Sequence, residues 1–421
     1  MKPSAGLPVS LGLILLNSFL IFPSCLRSDR NPSNSEPLLA IQTGRSGFRF
    51  AAGNSARNIP FQEDDGHIFL QVRINNSEPL WFALDTGAIR SIVDKRAAQT
   101  LGLKSDRSEP VGGAGGREQA SIFDGVSIKL PGVELYNQTV WGLPLDFLSP
   151  VNGRRLDGII GFELFNYFVV DIDYISLNIN LYEPQKYDYR GPGRHIPLKV
   201  QDGEIYVIAT LKIAGPEPIE GEFVIDTGGN GTLMLTPTFV QQHRLLELVG
   251  PTLQAGGGGV GGSIQVEFAR IRTLELGGFV VHKPVTGFVR AGQIAAVDKA
   301  GNIGGKYLRR FRVIFDYSRQ RMTLEPNANF PAPDEFDMSG AALIADGPDL
   351  SVIKVVRVRP NSPASSAGLR TQDVIEAVDG KPIRELTKLK QLFRQPDKEY
   401  LLNVRRAEET IQVKIKLKRL V

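Results

Sequence analysis

The chain contains an internal repeat, and a repeated segment of this length is expected to fold twice into one kind of unit. The stretch that begins at Asp65, DGHIFLQVRINNSEPLWFALDTGAIRSIV, aligns with the stretch that begins at Asp202, DGEIYVIATLKIAGPEPIEGEFVIDTGGNGTLML. Each copy passes from an alternating strand pattern through a turn with Glu-Pro to an apolar strand that ends in Asp-Thr-Gly. The closing segments also correspond: DGIIGFELFNYFVVDIDYISLNINLYEP, from Asp157, and GNIGGKYLRRFRVIFDYSRQRMTLEP, from Gly301. The repeat predicts one domain present twice.

The two Asp-Thr-Gly tripeptides place a carboxylate, Asp85 or Asp226, directly after an apolar strand. A carboxylate in such a place is poorly solvated, so its charge is costly unless it is hydrogen-bonded or shares a proton. One such tripeptide is weak evidence, but two in matched contexts predict a pair of acids that act together. The alternative is a duplicated β-domain whose aspartates only cap turns.

Composition limits the class of protein. A chain of 421 residues, 42% of them hydrophobic, can bury two or three cores. The 44 glycines and 27 prolines lie among short runs rich in Val, Ile, Phe and Leu, which predicts a mostly β protein. The formal charge of the chain is only +4, and basic residues are interleaved with acidic ones along the sequence. We therefore expect no nucleic-acid partner. The four histidines have no metal-ligand spacing, and we expect no metal and no cofactor.

The N-terminal segment, 1–25, has the layout of a secretory signal, with Lys2 before an apolar run from Leu7 to Phe22. The single cysteine, Cys25, follows this run and precedes a polar tether, 26–60. That placement resembles a bacterial lipoprotein, in which Cys25 would be acylated, and ordinary signal cleavage is the alternative. We therefore expect the protein to be secreted or held at the cell envelope, with the lipid as its one membrane attachment.

Each copy also contains a glycine-rich segment, VGGAGG from Val111 and GGGGVGG from Gly256. No βαβ pattern surrounds the second segment, so a nucleotide site is not expected. Both segments are instead predicted to be mobile hairpin tips, or flaps, that close over an extended peptide; the predicted flap residues are Gly112, Gly113, Gly115, Gly116, Gly256, Gly257, Gly258 and Gly259.

The paired Asp-Thr-Gly loops, the flaps and the segments Ile159-Ile160-Gly161 and, less typically, Asn302-Ile303-Gly304 resemble an aspartic protease of the retroviral-pepsin type. The resemblance implies duplicated retropepsin-like β lobes, 61–190 and 191–327, that form one bilobal unit. It implies that Asp85 and Asp226 share one proton and activate a water. It also implies loop support from Gly87 and Gly228, which allow a close approach of the backbone, and from Thr86 and Thr227, whose hydroxyls would reach across to the opposite loop.

Two departures from the family qualify these expectations. Neither glycine-rich segment carries the flap tyrosine of pepsin-like enzymes, which favours the retroviral branch. Many family members have Ser or Thr after Asp-Thr-Gly, where this chain has Ala88 and Gly229. Fewer hydrogen bonds stabilise the charged pair less, so we predict a pH optimum from mildly acidic to near neutral.

After a predicted linker, 328–335, the segment 336–421 resembles a bacterial PDZ domain, and a generic small β-barrel is the alternative. The resemblance is carried by SPASSAGLRTQDVIEAVDGKPI, with Pro363, Ala367, Gly368, Leu369, Asp373, Ile375 and Gly380. PDZ domains receive a peptide as an added strand, and loop amides hold its C-terminal carboxylate. The predicted peptide-binding loop consists of Gly340, Ala341, Ala342 and Leu343.

The sequence therefore predicts an aspartic endopeptidase that cleaves polypeptides, with a PDZ domain for a substrate or a C-terminal peptide ligand. We expect it to act as a monomer, because one chain supplies both aspartates. The alternative is an envelope adaptor that binds peptide on the same fold without cleaving it.

Overall fold

The computed structural model describes residues 21–23, 46–291 and 299–421. Strands make up 51% and helices 14%, which confirms the prediction of a mostly β protein. The predicted lipidation residue Cys25 and most of the predicted signal segment lie outside the described residues. Within the described part, no helix is long and apolar enough to cross a membrane.

The first sheet has fifteen strands among the described residues. They are β1 Ile21–Pro23, β2 Gly47–Phe50, β3 Ser55–Asp64, β4 His67–Ile74, β5 Leu80–Leu84, β6 Ile92–Asp94, β7 Ser108–Gly113, β8 Gly116–Leu130, β9 Val133–Leu143, β10 Gly158–Ile160, β11 Val169–Asp173, β12 Asn178–Tyr182, β13 Arg194–Pro197, β24 Phe311–Asp316 and β25 Arg321–Pro326.

The second sheet holds ten described strands. They are β14 Lys199–Gln201, β15 Glu204–Lys212, β16 Pro218–Asp226, β17 Leu233–Leu235, β18 Leu253–Gly259, β19 Gly262–Arg270, β20 Thr273–Leu276, β21 Phe279–His282, β22 Val285–Ala291 and β23 Gly301–Gly304.

The third sheet, in the C-terminal region, has six strands: β26 Ala341–Asp346, β27 Val352–Val358, β28 Val374–Val378, β29 Lys381–Pro382, β30 Glu399–Arg406 and β31 Glu409–Lys416. The described helices are short: α1 Lys95–Thr100, α2 Ser149–Asn152, α3 Phe162–Tyr167, α4 Pro237–Gln242, α5 Leu245–Leu248, α6 Gly305–Leu308, α7 Pro363–Ser366 and α8 Leu386–Leu392.

The repeat in the sequence is a repeat in strand pairing. In the first copy, β10 pairs parallel with β5 and antiparallel with β6. In the second copy, β23 pairs parallel with β16 and antiparallel with β17. Because β5 and β16 are central apolar strands, the residues that follow or end them, Asp85 and Asp226, are delivered to equivalent points of the two lobes.

The two lobes share a sheet. Strand β11 of the first copy pairs antiparallel with β24 of the second, so the closing segments of the repeat meet at the seam. Across this seam, Arg312 donates to both carboxylate oxygens of the buried Asp171, at 2.9 and 2.8 Å. One apolar cluster extends from Ile68 in the first lobe to Phe311 in the second. The lobes therefore form a single body.

Part of the predicted tether is wrong. Residues 47–50 and 55–60 belong to β2 and β3, and β2 pairs with β9 while β3 pairs with β4 and β12. The reason is local alternation within a polar segment: Ala56 and Ile59 are buried, and Phe48 packs on Phe168 with ring centroids 4.7 Å apart. The polar residues on the exposed faces of these two strands concealed the pattern.

The predicted linker, 328–335, is held against the second lobe. Arg310 donates to Phe330 O at 3.0 Å, and Arg270 donates to Asp334 O at 2.6 Å. The carboxylate of Asp334 accepts from Val285 N at 2.8 Å, and Arg270 also reaches the C-terminal residue, with Nε 3.1 Å from Val421 O. The segment that precedes the third sheet and the residue Val421 that follows it are thus both held by the second lobe.

Candidate active site

Asp85 and Asp226 meet at the centre of the bilobal unit. Both side chains are fully buried, and the charge of Asp226 raises the pKa of Asp85. One oxygen of each carboxyl group, Asp85 Oδ2 and Asp226 Oδ1, has no hydrogen-bond partner among the described residues, as expected of two acids that share a proton. The Cα of Gly228 faces the carboxyl group of Asp85 so closely that a Cβ at this position would overlap it. Two buried carboxylates that interact in this way cannot both ionise at ordinary pH, so the pair holds one proton over a range of pH.

The threonines lock the two loops together with a symmetric set of hydrogen bonds. The Thr86 hydroxyl donates to Ile225 O at 2.6 Å, and the Thr227 hydroxyl donates to Leu84 O at 2.9 Å. Each hydroxyl also accepts from the backbone N–H of the opposite threonine, at 3.0 Å in both directions. Each loop therefore fixes the position of the other, and the separation of the two aspartates is set by buried hydrogen bonds.

The hydrogen bonds around the carboxyl groups are not symmetric. Asp85 Oδ1 accepts from the backbone N–H of Gly87 at 2.7 Å. Asp226 Oδ2 accepts from the side-chain amide of Asn302, on β23, at 2.6 Å. The equivalent position in the first copy is Ile159 on β10, since Ile159 pairs with Ala83 as Asn302 pairs with Val224. Only one of the two acids thus receives a side-chain amide from its neighbouring strand.

This asymmetry separates the two acids electrostatically. Burial raises the pKa of Asp85 well above its ordinary value, and the neighbouring charge of Asp226 raises it further. Burial also raises the pKa of Asp226, to about 6, but the amide donors Asn302, Gly229 and Gly228 hold it down. The hydrogen bond from Asn302 therefore favours the ionised form of Asp226 and leaves the shared proton on Asp85.

Asn302 is a residue whose role our reading of the sequence missed, although its position in the repeat held the signal. In the alignment of the closing segments, it is the polar counterpart of Ile159. Both Asp-Thr-Gly loops lack the Ser or Thr that usually follows the glycine, and have Ala88 and Gly229 instead. At Gly229 a side chain would overlap Asp226 Oδ2, and Asn302 supplies the hydrogen bond from another strand.

The two glycine-rich segments form antiparallel hairpins whose tips touch. Strand β7 pairs with β8 and β18 pairs with β19, so Gly112, Gly113 and Gly256–Gly259 lie on strands rather than at the tips. The contact itself is made by Gly115 N, which donates to Val260 O at 3.0 Å. Val260 and Ala114 are not among the predicted flap residues. They lie at the tips because of where the two turns fall, and the glycine composition of the segments does not show that position.

Each tip packs into the opposite lobe. Val260, of the second copy, lies in an apolar cluster of the first lobe that includes Ala83, Ala88 and Trp141. Ala114, of the first copy, packs against Tyr206 and Val224 in the second lobe. Ala83 and Ala88 flank Asp85 in the sequence, so the tip of the second hairpin packs on the strand and loop that carry this aspartate.

The predicted peptide-binding loop of the third sheet is compact and internally bonded. Gly340 N donates to Asp337 Oδ2 at 2.7 Å, and Ala341 N donates to the Ser339 hydroxyl at 3.0 Å. Leu343 is buried in the core of that sheet, and Ala342 is half-buried. Two of the amides expected to hold a peptide carboxylate therefore already have partners within the chain.

Comparisons with known proteins agree with this geometry. A family model described as aspartyl protease matches residues 70–164, and one described as PDZ domain matches residues 354–406. No curated protein matches the chain. Among solved structures, the chain is similar to the HtrA3 PDZ domain bound to a phage-derived ligand, FGRWV, with 27% identity over 19% of this chain and 84% of that chain, at a TM-score of 0.18.

The fold, the paired loops and the first family model define the class: the protein contains a retropepsin-like aspartyl protease domain. The second family model adds a C-terminal PDZ domain, as the sequence predicted.

Proposed function

We propose that the protein is an aspartic endopeptidase that hydrolyses peptide bonds with a water activated by Asp85 and Asp226. The observation that supports this proposal is the pair of fully buried carboxyl groups, each on an Asp-Thr-Gly loop held by the opposite threonine and each with one oxygen that has no other partner among the described residues. A buried acid pair of this kind is costly for stability and has an evident chemical use.

The asymmetry of the pair assigns a role to each acid. Asp226, ionised and stabilised by Asn302, takes a proton from water as the water oxygen attacks the carbonyl carbon of the substrate. Asp85, which carries the shared proton, donates it to the carbonyl oxygen, so the product of this step is a neutral tetrahedral diol. As the diol collapses and the C–N bond breaks, Asp226 gives its proton to the nitrogen of the departing amine and Asp85 takes a proton from a diol hydroxyl. The products are a carboxylic acid and an amine, the original protonation of the pair is restored, and no covalent enzyme intermediate forms.

The pKa of Asp226 also indicates the pH range in which the enzyme would be active. The ionised base is present above a pH of about 6, and activity falls again once Asp85 loses its proton. We therefore propose a pH optimum that is mildly acidic to near neutral. The polypeptide would be admitted when the two hairpin tips separate, and the PDZ domain would bind a peptide segment of a substrate or partner.

Hydrolysis of a mixed peptide library tests the proposal. We expect the wild-type chain to cleave, and Asp85→Asn and Asp226→Asn to lose at least about 1,000-fold in kcat/KM, because each removes the shared proton or the base. Asp188→Asn, whose side chain is 71% exposed, is the matched control and should cleave like wild type. If folded wild-type protein cuts nothing at any pH from about 3 to 8, a range that includes the pH of about 6 near which Asp226 ionises, the peptide-binding adaptor becomes the better description.

We further propose that the protein acts outside the cytoplasm, because an apolar segment from Leu7 to Phe22 precedes Cys25. Fractionation of cells that express wild type and Cys25→Ala distinguishes the two routes. Release of the variant alone from the membrane fraction would indicate a lipid anchor; equal release of both would indicate ordinary signal cleavage. Retention of both in the cytoplasm would contradict secretion.

A further inference from the structure

The first strand of the PDZ domain forms an open edge of its sheet. Strand β26 lies at the end of its sheet and pairs with β27 alone. Helix α8 lies beside β26. Addition of an extended segment to an open sheet edge is the way PDZ domains bind peptides. The space between β26 and α8, which we call the PDZ groove, is therefore the place where a peptide ligand is expected.

In this protein the PDZ groove is filled by the protease domain. Helix α2, from the first lobe, packs against β26. On the side of α8, Lys390 Nζ donates to Val151 O at 2.9 Å, and Leu386 contacts Gly153. Val151 and Leu386 are both buried, with 5% and 1% of their surfaces exposed. Residues 149–153, which we call the plug, thus lie between the strand and the helix that bound the groove.

The loop beside the groove matches an internal segment better than a chain end. A C-terminal peptide needs free loop amides for its carboxylate. Here Gly340 N is bonded to Asp337 and Ala341 N to Ser339, at 2.7 and 3.0 Å. The Ser339 hydroxyl in turn donates to Asp337 Oδ1 at 2.7 Å. The plug has no terminal carboxylate, and the loop satisfies its own amides.

A buried ionic cluster holds α8 over the plug. Arg394, just after α8, lies 2.7 Å from Asp65 Oδ1, and Lys306 lies 3.1 Å from the same oxygen. Burial alone would raise the pKa of Asp65, yet Arg394 and Lys306 hold it well below its ordinary value. The other carboxylate oxygen accepts from Asn230, four residues after Asp226, at 3.3 Å. The contact that closes the groove therefore ends on the loop of an active-site aspartate.

We propose that the plug is the built-in occupant of the PDZ groove, so that an extended segment of another polypeptide binds the PDZ domain only by displacing residues 149–153. A tethered occupant competes at an effective concentration of about 1 mM, which weakens an incoming ligand by about 10-fold or more. Displacement also loosens α8 from Asp65, and with it the Asn230 contact. This inference does not depend on peptide hydrolysis, and its test uses binding and hydrogen exchange alone.

The test compares three full-length variants with wild type. Gly153→Leu places a side chain against Leu386 at a residue with φ of +67°. Gly102→Leu is the matched control, because Gly102 has φ of +68° and no atom within 4 Å of its Cβ position. Lys390→Ala removes the hydrogen bond to the plug from the PDZ side. The probe is a library of random heptapeptides with amidated C-termini, which represent internal segments, and enrichment is measured on each immobilised protein.

We expect Gly153→Leu and Lys390→Ala to enrich peptides at least 10-fold more than wild type, and Gly102→Leu to behave as wild type. Amide exchange in β26 and α8 should be faster in the first two variants than in wild type. Equal enrichment by wild type and Gly153→Leu would overturn the proposal, because the groove would then be open with the plug in place. Unchanged exchange in both variants, or faster exchange without any enrichment, would overturn it as well.

Discussion

Among single residues, Asn302 distinguishes two otherwise repeated halves. Its amide lies 2.6 Å from Asp226 Oδ2, whereas its counterpart beside Asp85 is the apolar Ile159. A hydrogen bond to the ionised form of an acid favours ionisation, so Asn302 favours ionisation of Asp226 over that of Asp85. Symmetric viral enzymes made from two identical chains have no means of fixing such a choice in the sequence, because both halves carry the same residues.

Replacement of Asn302 by Ile, the residue of the other half, should raise the pKa of Asp226. A hydrogen bond to a charged group is worth about 1.5 to 3 kcal/mol, or about one to two pK units. We expect the acidic limb of the kcat/KM profile to move to higher pH by about one unit or more. Asn178→Ile, in which only a bond to Ser176 O at the surface is lost, is the control. A profile that is lowered but not displaced would leave Asn302 with a purely structural role.

The buried acid pair also predicts a pH-dependent stability. The pKa of Asp85 is raised in the folded protein, so its contribution is favourable below the unfolded pKa and is lost as pH rises through the folded value. Asp85→Asn removes this loss. We expect the variant to be more stable than wild type at pH 8, by about 1 to 3 kcal/mol, and to have no such advantage at pH 4. Thermal unfolding at both pH values measures the difference, and an equal advantage at both would contradict it.

At the scale of elements, the two glycine-rich hairpins act as one cover. Glycine is needed at the point of contact because the backbones approach closely: a Cβ on Gly115 would overlap the backbone of Gly262. Each tip also supplies a small apolar side chain, Ala114 or Val260, to the opposite lobe. The closed cover excludes water from the acid pair, which strengthens the electrostatic interactions beneath it.

Gly115→Val should separate the two tips without unfolding either lobe. We expect kcat/KM to fall by about 100-fold, since a displacement of about 1 Å in the positioning of substrate has effects of this size. The thermal midpoint should stay at the wild-type value. Gly215→Val, at a position with no atom within 4 Å of its Cβ, is the matched control for the loss of a glycine. Wild-type kinetics in Gly115→Val would show that the tip contact has no part in catalysis.

At the scale of the whole molecule, the lobes and the PDZ domain are continuous. The β11 and β24 seam joins the lobes, and the C-terminal residues Leu420 and Val421 pack on an apolar cluster of the second lobe. Arg394 and Lys390 then connect the PDZ domain to the first lobe. An interface with buried apolar, ionic and backbone contacts predicts that the domains unfold together.

Replacement of Arg394 should allow the PDZ domain and the two lobes to unfold separately. In Arg394→Ala, the buried Asp65 keeps Lys306 but loses its link to the PDZ domain, at a cost of about 3 kcal/mol. We expect the single calorimetric transition of wild type to separate into two. Arg405→Ala is the control, because its pair with Glu376 is exposed and such pairs contribute at most about 1 kcal/mol. One undivided transition in Arg394→Ala would show that the docking contacts are unimportant for stability.

The elements that depend on neighbouring residues could be predicted from the amino-acid sequence. Apolar strands that end in Asp-Thr-Gly, their repetition, and the turn and strand pattern of the PDZ domain are local signals, and together they predicted the fold class and the acid pair. Strand β2 and the first part of β3 were not predicted, because their apolar residues are interleaved with polar ones.

The contacts between segments that are far apart in the chain could not be predicted from local sequence. Asn302 reaches an acid 76 residues earlier in the chain, Lys390 reaches Val151, and Arg394 reaches Asp65. Such contacts depend on strand register and on how the domains dock, and a one-residue change in register turns a side chain to the opposite face. For that reason, the asymmetry of the acid pair, the meeting of the hairpin tips and the plug in the PDZ groove became visible only in three dimensions.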